Sequence, residues 1–397
     1  MLKTVREISR YAPQHNVLAT GFLREFPSRT VFHCRSLYAG STLGVDNFKT
    51  VREKIRSQFS SMTDRFREKM IEFSSDSSTN MIFTEDLKNM IHLAKNTPED
   101  MDLVKKMLTK FNRQNKELQF GNYVFGPVVM RMFYSMGNID VPLELIRNPD
   151  FKGFFDQVVT QQIMMDMLYE KGEYQQVLDL YTNCSKNESL RGHRHLVVLV
   201  MASCYKLNTP DALKYAMDLW SDLQKTGKEP MRKAATFIAT LALNQKQPGV
   251  ALEIISTVRQ QSYMTVRNIK VLSLAQVHRY EEVIVSLKGL IEVQMTGFTM
   301  KQSISKEILD QIQDIVAQSN SKELLADIQR VIKFLNEHGH VTEKTLDELL
   351  CTEVTVTNVN STRPERSVLA GSFRSSPRER QGGFTPRFSR PGLSDIN

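Results

Sequence analysis

VVTQQIMMDMLYEKGEYQQVLDL, residues 158–180, recurs in weakened form 35 residues away on both sides. The matched pairs are Gly137 with Gly172, Ile139 with Tyr174, Leu143 with Leu178 and, one step on, Ala212 with Val177 and Leu213 with Leu178. A fixed period of this size indicates one supersecondary unit that is copied and stacked. Each unit has an apolar helix, a short polar turn with Gly or Asn, and a second helix. The pattern therefore predicts a helical hairpin repeat.

The rest of the chain reads as a succession of helices separated by short gaps. Thr97-Pro98 and Thr209-Pro210 each place a capping hydroxyl before a proline at the first helical position, which predicts a helix start. Apolar residues recur every three or four positions from 45 to about 73 and predict one long amphipathic helix, which the serine-rich segment 74–79 ends. No segment of the sequence alternates like a strand. The predicted class is all-α, an α-solenoid of stacked helical hairpins.

The best repeat resembles the consensus of the pentatricopeptide repeat family. Starting at Val158, the pattern VVT, Y.KG.Y and VLDLY puts Gly172 at the turn between the helices and Val177 at a small-residue contact. Further segments that contribute to the resemblance are 123–140, 203–219, 235–254 and 340–351, so that it covers roughly 85–350. Tetratricopeptide repeats share the hairpin and nearly the same length. The resemblance implies a pentatricopeptide/tetratricopeptide-like superhelix.

Composition divides the chain into four parts. The predicted boundaries are 1–40 for a targeting segment, 41–80 for the amphipathic helix and Ser-rich linker, 81–350 for the helical-repeat array and 351–397 for an Arg/Ser/Pro/Gly-rich tail. Of the net charge of +8, the segments 1–40 and 363–397 contribute +4 each, which leaves the middle neutral. A neutral array is not the footprint of a strong duplex binder, so nucleic acid would contact a local basic stripe.

The two ends of the chain carry different signals. In a helix at the N-terminus, Leu2, Val5, Ile8 and Tyr11 would share one face, with basic residues off it. This is typical of a mitochondrial import signal cleaved near 35–40, and it predicts a matrix location. The tail is too poor in aliphatic residues to offset the entropy of ordering, so it is predicted to be disordered. Its alternating Arg and Phe suit single-stranded RNA, and a solubilising tail without a partner is the alternative.

The sequence contains no signature of an enzyme, a metal site or a membrane span. Phosphate-loop, GxSxG, HExxH and GxGxxG motifs are absent from it, so no catalytic residue is expected. His193 and His195 lack a second ligand pair at tight spacing, and neither a metal nor another cofactor is expected. Four cysteines without a CxxC pair indicate reduced thiols in a non-secreted protein. The longest apolar run, about ten residues from Leu196, is half a membrane span.

The resemblance implies recognition of single-stranded RNA. In pentatricopeptide arrays the first helices line a groove, and two or three side chains per repeat contact one base. The residues of this chain at the fifth motif position are Gln162 in the best repeat, Thr236 in the unit near Arg232 and Asn268 in the unit near Met264. Backbone contacts are expected from basic residues, most of them near the ends of first helices: Arg131, Arg191, Arg194, Lys206, Arg232, Lys233, Arg267 and Lys270. Other units depart from the pattern, as with Pro127, so only a modest sequence preference is expected.

These observations lead to a function and to alternatives from other classes. The first is a mitochondrial RNA-binding protein, not an enzyme, that acts in maturation and processing of mitochondrial transcripts and so supports the respiratory chain. Its expected partners are single-stranded mitochondrial RNA and RNA-processing or mitoribosomal proteins, without integral membrane contact. The first alternative is a protein-binding scaffold associated with the mitoribosome or an assembly complex, which would use the same groove. The second is a cytosolic tetratricopeptide co-chaperone that keeps residues 1–40.

Overall fold

The computed structural model describes residues 36–75, 77–118, 123–295, 302–319 and 321–354. Most of the predicted targeting segment, residues 1–35, and the predicted tail from residue 355 onward lie outside these described residues. The α-helices are α1 (Gly40–Leu43), α2 (Val45–Gln58), α3 (Thr63–Ser74), α4 (Thr84–Leu93), α5 (Pro98–Leu118), α6 (Gly126–Met136), α7 (Asp140–Arg147), α8 (Val158–Glu170), α9 (Tyr174–Cys184), α10 (Arg194–Leu207), α11 (Pro210–Lys225), α12 (Arg232–Asn244), α13 (Pro248–Ser256), α14 (Met264–Gln276), α15 (Tyr280–Met295), α16 (Lys306–Ala317), α17 (Lys322–Glu337) and α18 (Leu346–Leu350). A 3-10 helix (Pro149–Phe151) follows α7, and two short strands, β1 (Ile304–Ser305) and β2 (Val341–Thr342), pair in parallel.

Consecutive helices pair into hairpins that stack in chain order. The hairpins are α6/α7, α8/α9, α10/α11, α12/α13, α14/α15 and α16/α17. Each first helix from α6 to α14 contacts the first helix of the next hairpin. Each unit therefore buries its apolar surface against its neighbours, which is the packing of a repeat solenoid. The all-α class and the helical-repeat architecture predicted from the sequence are confirmed.

One backbone feature marks the repeat even where the sequence has drifted. The turn between first and second helix contains a left-handed residue in five successive hairpins: Gly137, Gly172, Asn208, Lys246 and His278. This conformation suits glycine and, less well, asparagine, because a Cβ crowds the backbone there. Lys246 and His278 adopt it nonetheless. The spacing between these turns is irregular: 38 residues from Asn208 to Lys246 and 32 from Lys246 to His278. The left-handed turn is therefore kept even where the glycine or asparagine that would signal it is absent, while the 35-residue spacing becomes irregular towards the C-terminus.

The prediction of one long helix from 45 to 73 is wrong. Helix α2 ends at Gln58 and α3 begins at Thr63, whose hydroxyl donates to Phe59 O at 2.7 Å across the turn between them. The break allows α2 to pack on α4 and α6 while α3 packs on α4 and α5. Apolar spacing continues through the turn, so periodicity could not reveal the break.

The first helices in the middle of the array are buried on every side. All residues from 160 to 169 in α8, from 196 to 204 in α10 and from 234 to 243 in α12 are buried. Neighbouring hairpins cover only part of such a helix, so another part of the chain must cover the side expected to line a groove. Two segments cover it, residues 36–38 and residues 343–354.

Candidate functional site

The side of α8, α10, α12 and α14 that carries Tyr169, Tyr205, Lys233 and Asn268 is called the groove face here. Residues 343–354, called the strap, cross it. Within the strap, α18 packs against α12 and α14 and buries Leu346, Leu349 and Leu350. The three- and four-residue spacing of these leucines puts them on one side of the short helix. The strap is therefore an amphipathic peptide bound in the position that the sequence assigned to a ligand.

Side chains of the groove face hold the strap through its oxygen atoms. The Asp347 carboxylate accepts hydrogen bonds from Tyr205 Oη at 2.9 Å and from Lys206 Nζ at 2.7 Å. Further along, Lys233 Nζ donates to the carbonyl of Thr352, and burial lowers the pKa of Lys233 to about 8. Burial alone would raise the pKa of Asp347, but the hydrogen bond and charge of Lys206 bring it below its ordinary value. The contacts thus pair cations of the face with acceptors of the strap.

The N-terminal residues of the described chain complete the cover. Leu37 and Tyr38 have no exposed surface, and Tyr38 Oη lies 3.1 Å from His195 Nδ1. Burial is the main cause that lowers the pKa of His195 to about 4, so the imidazole is neutral at neutral pH. The Val354 N–H donates to Leu37 O at 2.8 Å. The two ends of the described chain therefore meet on the groove face.

The three polar residues predicted to read bases all lie inside the protein. Gln162 is buried in α8, and Thr236 Oγ1 donates to Lys233 O at 2.9 Å within α12. Asn268 has no exposed surface, and its Oδ1 accepts a hydrogen bond from Ser305 N at 3.1 Å. In this conformation the three side chains face the protein rather than solvent. Their contact with RNA stays a prediction.

Most of the predicted basic residues are engaged by the protein. Besides Lys206 and Lys233 on the strap, the engaged residues are Arg131 with Leu43 O, Arg191 with the Asp222 carboxylate, Arg267 with Ser262 O and Gln302, and Arg232 with Gln260 and the ring of Tyr263. Arg194 is exposed and Lys270 half-buried, and neither forms a hydrogen bond or an ion pair with another described residue. The sequence therefore placed these cations on first helices or, for Arg191, just before one, but it did not show which of them face solvent.

Two cavities lie next to each other at the N-terminal ends of α12 and α14, and Arg232 lines both. The first, of about 500 Å³, is also lined by Arg194, Lys228 and Arg259. The second, of about 590 Å³, lies between α12, α14 and the strap. The guanidinium carbon of Arg232 is 3.0 Å from the ring centroid of Tyr263, a side chain that is 44% exposed. This Arg232–Tyr263 stack is called the platform.

Sequence reasoning missed three residues of this region. Lys228, Arg259 and Tyr263 were not among the predicted contacts, yet they line the two cavities. All three precede a first helix, Lys228 before α12 and the other two before α14. A basic or aromatic residue in the loop before a first helix was the signal that could have indicated them.

Replacing Asn268 by alanine is expected to lower the free energy of unfolding by about 1–3 kcal/mol, because the Ser305 N–H would be left buried without an acceptor. Loss of Asn268 Nδ2, a buried amide group without a partner among the described residues, partly offsets this cost. Urea denaturation measures the effect, with Thr265→Ala at the half-buried start of the same helix as the control. Equal stability of the two variants would contradict a structural role for Asn268.

The described ranges hold neither a cluster of metal-ligating side chains nor a helix that could cross a membrane. No three His, Cys, Asp or Glu side chains in the described ranges group so as to hold a metal ion. His193 and His195 have ring centroids 5.6 Å apart, and the ring of His195 is hydrogen-bonded to the hydroxyl of Tyr38. None of the helices between residues 36 and 354, so far as they are described, has the length and apolar character that a membrane crossing requires.

Comparison with known proteins identifies the family. No family model matches the chain. The mouse (Mus musculus) protein named pentatricopeptide repeat-containing protein 2, mitochondrial, is 30% identical over 271 residues, which cover 68% of this chain and 70% of the mouse protein. The proteins of the same name from Xenopus laevis and Homo sapiens are each 28% identical, over 74% and 68% of this chain and 77% and 69% of their own length. These relatives confirm the predicted repeat family and the predicted mitochondrial localisation. The chain belongs to the family of the mitochondrial pentatricopeptide repeat-containing protein 2.

Proposed function

We propose that this protein binds single-stranded RNA in the mitochondrial matrix and acts in the maturation and processing of mitochondrial transcripts, thereby supporting the respiratory chain. It acts by binding rather than by catalysis, either masking a site on the RNA or presenting it to a separate nuclease. Its partners are then the RNA itself and RNA-processing or mitoribosomal proteins.

The platform is the observation that carries this proposal. Unpaired bases stack on aromatic rings and on guanidinium planes, and nearby cations hold the phosphates. Besides Arg232 of the platform, three further basic side chains line the first cavity: Arg194, Lys228 and Arg259. One acid opposes them, since Glu229 pairs with Arg259 at 3.0 Å. A local excess of positive charge next to an exposed stacking surface suits a single-stranded polyanion better than a neutral ligand.

The proposed binding mode has modest sequence preference. Gln162, Thr236 and Asn268 would have to read base edges, but all three are buried in the present conformation. Stacking and phosphate contacts tolerate any base, because every base has a π face and every nucleotide a phosphate. Arg194 and Lys270 extend the set of proposed phosphate contacts beyond the platform.

Replacing Arg232 by alanine is expected to weaken binding of an unstructured poly-uridine RNA about five- to twentyfold at low salt, because one stacking surface and one phosphate contact are lost. Fluorescence anisotropy across a salt series measures this. The slope of log Kd against log salt concentration should also fall by somewhat under one.

Arg330→Ala is the matched control for net charge. Arg330 is an exposed residue of α17 that pairs with Asp327, and it lines neither cavity. We expect its affinity for poly-uridine to stay within about twofold of the wild type. Equal losses in the two variants would show that net charge alone matters and would contradict the platform. Absence of binding by the wild-type protein would contradict the RNA function itself.

A protein-binding scaffold, associated with the mitoribosome or an assembly complex, is the second candidate. The observation in its favour is that the groove face accommodates a peptide, the strap, through leucines and hydrogen bonds. A helical or extended segment of a partner could bind in the same manner. If the wild-type protein does not bind poly-uridine at any salt concentration, this candidate is favoured.

A further inference from the structure

The strap occupies the face that the proposed function assigns to RNA. We propose that the strap is an internal competitor of RNA and must leave the groove face before RNA can fill it. This inference rests on the proposed function and adds its regulation. The closed state described here offers RNA the platform, and the open state offers the groove face as well.

The strap has the chemistry of an anionic ligand. Its acidic residues are Glu343, Asp347, Glu348 and Glu353, and its one basic residue is Lys344. The segment 343–354 therefore carries a net charge of −3 in a protein whose net charge is +8. Asp347 presents carboxylate oxygen to an ammonium and a phenol, Lys206 and Tyr205, as a phosphate group would. The strap thus competes for the contacts that a polyanion would use.

The residues engaged by the strap are among those predicted to contact RNA. Lys206 holds Asp347, and Lys233 holds the carbonyl of Thr352. Asn268 is linked to the strap through Ser305. The Ser305 N–H donates to Asn268 Oδ1, and Ser305 Oγ donates to the carbonyl of Lys344 at 2.7 Å. A nucleotide cannot reach these side chains while the strap is in place, because the same atoms and the same space are already used.

The strap can be released without dismantling the hairpins. Helix α18 has five residues, and a helix of this length is not stable by itself. The side chain of Asp347 is 49% exposed, so salt screens its ion pair with Lys206. The first helices from α8 to α14 contact one another directly and do not need the strap as a bridge. Burial of Leu346, Leu349 and Leu350 keeps the strap closed until a ligand competes.

Two strap variants of the full-length chain test the competition. Asp347→Asn removes the charge that faces Lys206 with little change of size. Glu343→Gln makes the same change of net charge at an exposed strap residue that lines neither cavity, and whose ion pair with Lys306, at 3.6 Å, is exposed to solvent on both sides. We expect Asp347→Asn to bind poly-uridine about fivefold more tightly than the wild type, since a larger fraction of the protein is open. Glu343→Gln should stay within about twofold.

Cysteine labelling reports the position of the strap directly. The thiol of Cys351 is buried on the groove face, 4.0 Å from Tyr169 Oη. Cys204 is buried inside α10 and becomes accessible only on unfolding of the array. With maleimide labelling and peptide mass mapping, we expect saturating poly-uridine to raise the labelling rate of Cys351 about fivefold or more and to leave Cys204 unchanged.

The outcomes separate the inference from the function on which it rests. Tighter binding by Asp347→Asn together with RNA-induced labelling of Cys351 would support the inference. Binding by the wild type with unchanged Cys351 labelling and equal affinities of the two variants would overturn it and leave the RNA function intact. Failure of all three proteins to bind poly-uridine would overturn the RNA function and the inference with it.

Discussion

Replacing Tyr38 by alanine is expected to lower the free energy of unfolding by roughly 3–5 kcal/mol, as for other fully buried aromatic side chains. Its ring packs edge-on to His195, with centroids 5.6 Å apart and planes at 71°. Its hydroxyl lies 3.1 Å from His195 Nδ1, and the side chain has no exposed surface. The substitution would leave a cavity between α8 and α10 that rigid neighbouring hairpins cannot collapse to fill. Urea denaturation followed by circular dichroism measures the loss.

A second variant separates packing from hydrogen bonding at this position, and a variant of an exposed aromatic residue elsewhere is the control. Tyr38→Phe keeps the ring and should cost only about 1 kcal/mol. Phe83→Ala removes an aromatic side chain that is 59% exposed and should change the stability by less than about 1 kcal/mol. If Tyr38→Ala unfolds at the same urea concentration as the wild type, the N-terminal segment is not part of the core.

The burial of Leu37 and Tyr38 also bears on import. The sequence predicts presequence cleavage near 35–40, a window that includes both residues. Cleavage after Tyr38 would leave the same empty cavity as the alanine variant. We therefore expect processing to occur upstream of Leu37, so that the mature protein keeps both side chains.

Asp166 is expected to make stability depend strongly on pH. Its carboxyl is fully buried in α8, where Oδ2 accepts a hydrogen bond from Tyr134 Oη at 3.2 Å. Oδ1 has no hydrogen-bond partner among the described residues. Burial, followed by the negative charge of Glu170, raises the pKa of Asp166 well above its ordinary value. The hydrogen bond from Tyr134 and the nearby backbone N–H of Tyr38 lower the pKa of Asp166, but their effect is weaker.

The sign of the effect follows from this raised pKa. The folded protein favours the protonated carboxyl, so the contribution to stability is complete below the ordinary pKa of 3.8. It is lost as the pH rises through the raised pKa of the folded state. Within that window each pH unit removes about 1.4 kcal/mol from the free energy of unfolding. Burial lowers the pKa of His92 and of His195 to about 4, and these two groups make stability rise with pH between about 4 and 6.5.

Asp166→Asn isolates the carboxyl, because the two histidines titrate equally in both proteins. We expect the stability of the variant minus that of the wild type to grow by about 1.4 kcal/mol per pH unit until the raised pKa is passed. Urea denaturation at several pH values measures the difference, with Asp179→Asn, an exposed residue of α9, as the control. A difference that does not vary with pH would contradict the raised pKa.

The hairpins were predictable because their signals are local. Thr209 caps α11 as expected, since its Oγ1 accepts from Ala212 N at 3.1 Å. Gly137 and Gly172 occupy left-handed turns, where glycine avoids the clash of a Cβ. Each of these features depends on residues within one helical turn of each other. The break between α2 and α3 was missed because its cause is which partners the two helices pack on, rather than any breaker residue.

The candidate site was only partly predictable. Helix position indicated that Lys206, Lys233 and Asn268 belong to first helices. It did not indicate their partners Asp347, Thr352 and Ser305, which lie 141, 119 and 37 residues away along the chain. The strap sequence LDELL has the same amphipathic pattern as other helices of the array. Its position across the groove face could therefore not be predicted from the sequence.

Local pattern was enough to predict most of the helices and the repeat period of this protein, because both depend on the spacing of apolar residues, caps and turns. The repeat family was indicated by the resemblance of longer segments. Only the tertiary structure decided that the groove face is covered, which cations hold the cover, and where Arg232 and Tyr263 leave a surface open. These features follow from how successive hairpins stack and bring the two ends of the described chain together. Such contacts depend on the sum of many small rotations between units, which no single stretch of sequence specifies.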